Sequence, residues 1–217
     1  MYGFLTDPAT QKGRNTLWLV LHWLAPPASR ILKELSDRGH TITAIARNPE
    51  KIASLPQVTA KKGDVSDKSG LAALLKRHDA TVSAVHFASS DARTLIEAVR
   101  AAGHEIALHA GGAGSLEVSP GKRLVDQPDF PAAYKTEALK GAEFLDLLKG
   151  EKELDWTFLS PSALFAEGER TRKFRLGKDA LLTSDKGSSI SFEDYAIALV
   201  DEIEKPAHTR QRFTVGY

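Results

Sequence analysis

Six short stretches of this chain carry side chains able to do chemistry. They are "RNPE" with Arg47 and Asn48, "GDVSD" with Asp64 and Val65, and "HFASSD" with His86 and Phe87. The others are "GGAGS" from Gly111 and Gly112 to Ser115, "AAYKTEALK" with Tyr134, and "SPSALF" with Pro161, Ser162 and Ala163. An arginine such as Arg47 can hold a phosphate through paired, charge-assisted hydrogen bonds; its plain alternative is a solvated surface arginine. The Asp64 carboxylate could accept from an amino group or cap the next turn. Glycines at 111 and 112 allow close backbone approach, and the Ser115 hydroxyl could donate to a carbonyl. Tyr134 could act as an acid/base if a cation lowered its pKa, or pack at a helix start. His86 reads equally well as a strand-end histidine and as a functional one.

Other chemistries are absent. The chain has no cysteine, so disulfides, thiolate catalysis and cysteine-ligated zinc are excluded. No His/Asp/Glu spacing makes a metal site. His104 and His109 lie five apart on a predicted strand and so face opposite sides.

These stretches fall between elements that must position them. The 217 residues, 42% apolar and 26% charged, suit one domain with a sizeable core spanning 1–217, after an irregular arm over 1–15. "TLWLVL", "HTITAIA", "VTAKKGD", "ATVSAVHFA", "HEIALHA", "LDWTFLSP" and "RQRFTVGY" read as strands. Between them "ASRILKELSDRG", "NPEKIASL", "DKSGLAALLKRH", "SDARTLIEAVRAAG", "PAAYKTEALKGAEFLDLLKG" and "SFEDYAIALVDEIEKP" read as helices. Asn48 is the expected cap of the second, and Ser191 with Asp194 approximates a capping box on the last. "GGAGSLEVSPGKRLVDQPDF" reads as a long loop, placed to cover a site as a lid.

Strand and helix in alternation, with short connections, imply parallel strands joined by right-handed crossovers. The fold class expected is α/β: a three-layer, doubly wound Rossmann-type fold with a mostly parallel sheet. Ligands of such sheets bind beyond the carboxyl ends of the strands, which is where "HWLAPPAS" and all of these stretches but the helical "AAYKTEALK" fall. After the second strand a dinucleotide fold usually carries an acidic residue for the ribose of NAD. Arg47 there suits the 2′-phosphate of NADP instead.

Together "GHTITAIARNPEKI", "VTAKKGDVSD", "VSAVHFAS", "GGAGSLEV", "YKTEALKGAEFLDLLK" and "LDWTFLSPSALFAEGERT" resemble the atypical short-chain dehydrogenase/reductase superfamily. The nearest branch is the NmrA-like and NADH-flavin reductase-like NAD(P)H-binding proteins. The resemblance runs from about residue 29 to 217. It implies NADP as cofactor, with NAD possible. It implies Arg47 at the 2′-phosphate, Asp64 and Val65 at adenine, and Gly111 to Ser115 with Pro161 to Ala163 on the nicotinamide side. Asn48, His86 and Phe87 join that set as strand-end neighbours, and Ser29 and Arg30 as the start of the first helix.

Two departures stand out. The superfamily often uses Tyr-x-x-x-Lys on the long helix, where lysine lowers the tyrosine's pKa. Here Tyr134 is followed four places on by Ala138, and Lys135 and Lys140 are out of register. The family's glycine-rich turn is also missing: its glycines would fall at His22, Ala25 and Ala28, and Pro26 and Pro27 lie inside the loop. Diphosphate is normally held by N–H groups at a helix start, and proline has none.

Three readings follow. The first is an NAD(P)H-dependent reductase of a flavin, quinone or similar small acceptor, with Ser115 and Tyr134 as its catalytic candidates. The second is a non-catalytic NAD(P)-binding regulator. The third is a cofactor-free relative with a degenerate phosphate loop. The net charge of +1 gives no reason to expect nucleic acid or a membrane as partner. A short apolar run after Lys12 and Arg14 resembles a signal peptide, but a core strand is the better reading, and absence of cysteine fits the cytosol.

Overall fold

The computed structural model describes residues 26–76, 78–103 and 106–217. The arm over 1–15, the first expected strand and His104 lie outside them. The elements run as α1 (Pro26–Asp37), β1 (Ile42–Ala46), β2 (Val58–Lys62), α2 (Lys68–Leu75), β3 (Ala80–Ser83), α3 (Ala92–Ala101) and β4 (Ile106–Ala110). They continue with β5 (Glu117–Ser119), β6 (Lys122–Arg123), α4 (Ala132–Lys149), β7 (Asp155–Pro161), β8 (Leu164–Ala166), β9 (Arg175–Gly177), β10 (Ser189–Ser191), α5 (Phe192–Glu204) and β11 (Gln211–Gly216).

Two parallel sets form the sheet layer. β1 pairs with β2, Ile42 opposite Val58. A larger sheet has the order β3-β4-β7-β11-β9, parallel except for its antiparallel edge strand β9. Strand side chains alternate between faces, and two cores follow from that. Ala107 and Phe158 join a cluster with Leu71 and Leu75 of α2, Leu95 and Val99 of α3, and Phe144 and Leu148 of α4. Their neighbours Leu108 and Leu159 join one with Ile31 and Leu35 of α1 and Tyr195 and Leu199 of α5. The result is three layers, with helices on both faces of a mostly parallel sheet.

Three local expectations are corrected. "NPEKIASL" forms only a 3₁₀ turn, Pro49–Lys51, and the Asn48 side chain caps nothing. Its few apolar residues give no face long enough to hold a helix against the sheet. At α5, Ser191 accepts from the Asp194 N–H as a cap should. The Asp194 carboxylate does not return the bond; it accepts from the Arg172 N–H and the Thr171 and Tyr217 hydroxyls. The stretch after β4 is not an open loop either. It folds into the β5–β6 hairpin and a 3₁₀ turn, Leu124–Asp126, with Leu116 and Val125 buried beneath. The Glu117 N–H bonds the Asp179 carbonyl and the Leu181 N–H the Glu117 carbonyl, which pins the hairpin down.

One buried group is out of place. His109 on β4 is 2% exposed, its ring 4.9 Å from that of Phe144, and neither ring nitrogen has a hydrogen-bond partner. Burial pushes its pKa down from 6.5 to about 3. The folded chain therefore keeps His109 neutral where the unfolded chain protonates it, so stability is lost as pH falls from 6.5 toward 3. His109→Leu removes the unsatisfied imidazole and this proton uptake. Urea unfolding across that range should show a smaller fall in midpoint for the variant than for the wild type; equal falls would contradict the assignment.

Candidate functional site

The carboxyl ends of β3 and β4 meet the first turns of α4. Beyond β3 the chain passes through buried Ala84 and Val85 to His86, then turns through a 3₁₀ element, Phe87–Ser89. The Phe87 ring lies 5.5 Å from that of Phe144 and 6.2 Å from that of Phe158. Gly141 of α4 faces it; a Cβ there would lie 3.0 Å from the Phe87 ring. One turn earlier, Glu137 accepts from the N–H groups of both Phe87 and Ala88, each at 2.8 Å. Its Oε1 also lies 3.4 Å from His86 Nδ1, and the His86 side chain is 49% exposed.

The "GGAGS" run sits against the same helix. The Gly111 N–H donates to the Leu159 carbonyl at 2.8 Å, and the buried Tyr195 hydroxyl donates to that oxygen at 2.7 Å. A Cβ at Gly112 would make ordinary contact with the Phe87 ring at 3.8 Å and meet nothing closer. Gly114 presses on Ala138, where an added Cβ would come within 2.6 Å of the alanine methyl. Ser115 is turned into the body: its Oγ accepts from Arg212 of β11 at 3.2 Å, and the Arg212 guanidinium, 8% exposed, is itself held by Asp179. Tyr134 stands 67% exposed on the first turn of α4. Lys140 pairs with Glu143.

The remaining candidates divide among three places. At the end of β7, Pro161 and Ser162 are buried, and the Ser162 N–H and hydroxyl both donate to the Val215 carbonyl at 3.1 Å. Ala163 is exposed, its N–H on Ser188 Oγ. Arg47 and Asn48 lie exposed beyond β1, and Arg47 makes no ion pair or hydrogen bond among the described residues. Beyond β2, Asp64 accepts from the N–H and hydroxyl of Ser66, so it caps the turn, and Val65 is buried in the cluster that holds Phe87.

On α1, Ser29 donates to the Pro26 carbonyl at 2.9 Å. Arg30 donates to Glu193 at 2.6 Å and to Glu167; the hydrogen bond to Glu193, outweighing some desolvation, raises its pKa. Glu137, Arg212, Glu167 and Glu193 are partners of the candidate residues that motif reading passes over. Only Glu137 left a trace: it shares a helix face with Gly141, four residues on.

A nicotinamide dinucleotide fits part of this edge. Arg47 offers an uncommitted cation at the end of β1, and Gly112 offers backbone without a side chain. At the helix start the fit is thin. A helix start offers N–H groups to an anion, but Pro26 and Pro27 supply none and Ala28 is buried. Among the described residues no three His, Asp or Glu side chains converge as a metal site, and no helix is long and apolar enough to cross a membrane.

Comparison with known proteins agrees with this geometry. A family profile described as NAD(P)H-binding matches residues 27–206. A "putative exported protein" from Burkholderia pseudomallei is 41% identical, with a TM-score of 0.84 over 93% of this chain and 100% of that one. A "putative epimerase" from Bacteroides thetaiotaomicron is 37% identical, with a TM-score of 0.88 over 94% and 98%. A "putative NADH-flavin reductase" from Streptococcus pneumoniae is 33% identical, with a TM-score of 0.79 over 93% and 99%.

The tightness of the β4–β7 crossing is testable. A Cβ at Gly111 would collide with the Phe158 ring and sit 2.8 Å from the Leu159 carbonyl oxygen. Gly111→Ala should therefore destabilise the fold by about 1–3 kcal/mol in chemical denaturation; an unchanged midpoint would show that the crossing has slack.

Proposed function

This chain belongs to the NAD(P)H-binding family of atypical short-chain dehydrogenase/reductases, and on that premise we propose that it is an NADPH-dependent oxidoreductase acting on a flavin, quinone or similar small acceptor. The observation that carries the reading is Arg47. A free guanidinium beyond β1 stands where a carboxylate would serve NAD and repel a 2′-phosphate. The reductase-named structure from Streptococcus pneumoniae, one third identical along nearly its whole length, supports the choice of reaction.

Each end of the edge has a part. Arg47 holds the 2′-phosphate by charge-assisted bonds. The helix start contributes little to the diphosphate, since Pro26 and Pro27 have no N–H and Ala28 is buried. Backbone at Gly112 lets the ring end of the cofactor come close, and the Phe87 ring, backed by Phe144 and Phe158, keeps water from that side. The nicotinamide supplies the hydride. An epimerase or alcohol dehydrogenase built on Tyr-x-x-x-Lys is disfavoured, because Ala138 occupies the lysine's place and is packed under Gly114.

A second reading has an observation of its own. The prolines at 26 and 27 and the pairing of Arg30 with two carboxylates leave the diphosphate few donors. That favours a loose binder or a cofactor-free relative.

Calorimetric titration separates the two. NADPH should bind more tightly than NADH. Arg47→Ala should weaken NADPH about 10- to 100-fold, the worth of hydrogen bonds to a charged group, and leave NADH nearly unchanged. Equal losses would remove Arg47 from the 2′-phosphate. Failure of either nucleotide to bind at about millimolar concentration, roughly −4 kcal/mol, would reject the proposal in favour of the second reading.

A further inference from the structure

A reductase of this kind needs a proton as well as a hydride, and the family's usual source is broken here. Tyr134 is solvent-facing, and the residue four places on is Ala138. Ala138 instead packs against Gly114, where a Cβ added to the glycine would come within 2.6 Å of the alanine methyl.

The same helix carries another polar group to the same edge. Glu137 reaches the turn after β3, grips the Phe87 and Ala88 N–H groups, and stands 3.4 Å from His86 Nδ1. We propose that His86, oriented by Glu137, is the proton donor of this site. The inference rests on the reductase reading and supplies its missing acid.

Four features of the geometry support it. His86 follows β3 on the edge where a doubly wound sheet binds ligands. Its ring is half exposed, so it can meet an acceptor and exchange protons with water. Its backbone is fixed, with the Ser90 hydroxyl donating to its carbonyl at 2.8 Å. Finally, Glu137 is itself immobilised by two backbone bonds, which sets its carboxylate beside Nδ1 of the imidazole rather than Nε2. The 3.4 Å separation is longer than an ideal hydrogen bond, as is common in ligand-free catalytic pairs, which tighten on binding. Of the other charged groups on α4 and at the start of α3, Lys140 is paired with Glu143, and Asp91 accepts from the Thr94 N–H.

The step balances. A quinone carbonyl acceptor gains two electrons and one hydrogen as hydride from bound dihydronicotinamide. The Nε2–H of the His86 imidazolium gives the second hydrogen to the acceptor oxygen, closing an O–H bond as the N–H bond breaks. The imidazole is left neutral with Nδ1–H on Glu137, and it recovers its proton from water. Glu137 is a positioning residue in this scheme.

The test uses NADPH and p-benzoquinone with the wild type, His86→Ala and Glu137→Gln. His86→Ala should keep the wild-type melting temperature, still bind NADPH, and lose about 100-fold in kcat at saturating NADPH. Added imidazole should restore part of the loss, which no structural role would allow. Glu137→Gln keeps one acceptor oxygen for the Phe87 and Ala88 N–H groups, so it should lower kcat by a larger factor than it raises KM. Independently of turnover, diethyl pyrocarbonate should label His86 in the free protein, and NADPH should slow that labelling. If the wild type binds NADPH and reduces the quinone while His86→Ala keeps most of its kcat, or loses it without imidazole rescue, the proton assignment falls alone. Labelling of His86 unaffected by NADPH would also overturn it. A wild type that binds no NADPH would remove both this inference and the reading beneath it.

Discussion

One carboxylate organises the working edge of this protein. Glu137 accepts from two consecutive backbone N–H groups just past β3, a place where the chain has left the sheet and has no strand partner. Unpaired backbone donors near a core are costly, so the bonds fix where the turn goes. Phe87 is then driven into the aromatic group with Phe144 and Phe158, and α4 is drawn in until a Cβ at 141 would lie 3.0 Å from the Phe87 ring. The "GGAGS" run is seated on the next residue of the helix, Ala138, through Gly114. The positions of His86, Gly112 and Tyr134 all follow from how α4 docks. The helix carries Ala138 where a Tyr-x-x-x-Lys motif has its lysine, and Glu137 beside it anchors the turn that bears His86.

The other end of the edge follows a different constraint. Prolines suit the first turn of a helix, where the lost N–H groups have no helical acceptor in any case. The fold therefore accepts Pro26 and Pro27 freely, while a phosphate does not. Arg30, the nearest cation, is committed to Glu193 and Glu167. On the proposed reading a dinucleotide would rest on Arg47 and the strand ends more than on this helix start. Stability and ligand grip thus separate within one helical turn.

Much of the architecture was legible from pattern alone. Buried parallel strands and amphipathic helices of ordinary length announce themselves by period, and α1, α3, α4, α5, β4, β7 and β11 fall near where the pattern puts them. "NPEKIASL" failed because capping residues were read without asking what apolar face the helix would bury. The stretch after β4 failed because glycine and proline hid a hairpin held by Leu116, Val125 and contacts to residues 179–181, far away in sequence. At the site, Arg47 and Asp64 could be placed by topology. Ser115 could not: its partner, Arg212, is 97 residues away. Glu137 was invisible for a related reason, since a helix glutamate looks like a solvated one until the turn it holds is in view.

The central claim is that NADPH lies along the carboxyl ends of these strands, between Arg47 and the Glu137-anchored turn. Amide hydrogen exchange with and without saturating NADPH tests it most directly. The account predicts slowed exchange at residues 47–48, 86–88 and 111–113, with the helix ends on the opposite edge unchanged. Unaltered exchange at 86–88 and 111–113 under saturating NADPH, or protection confined to the opposite edge, would contradict it.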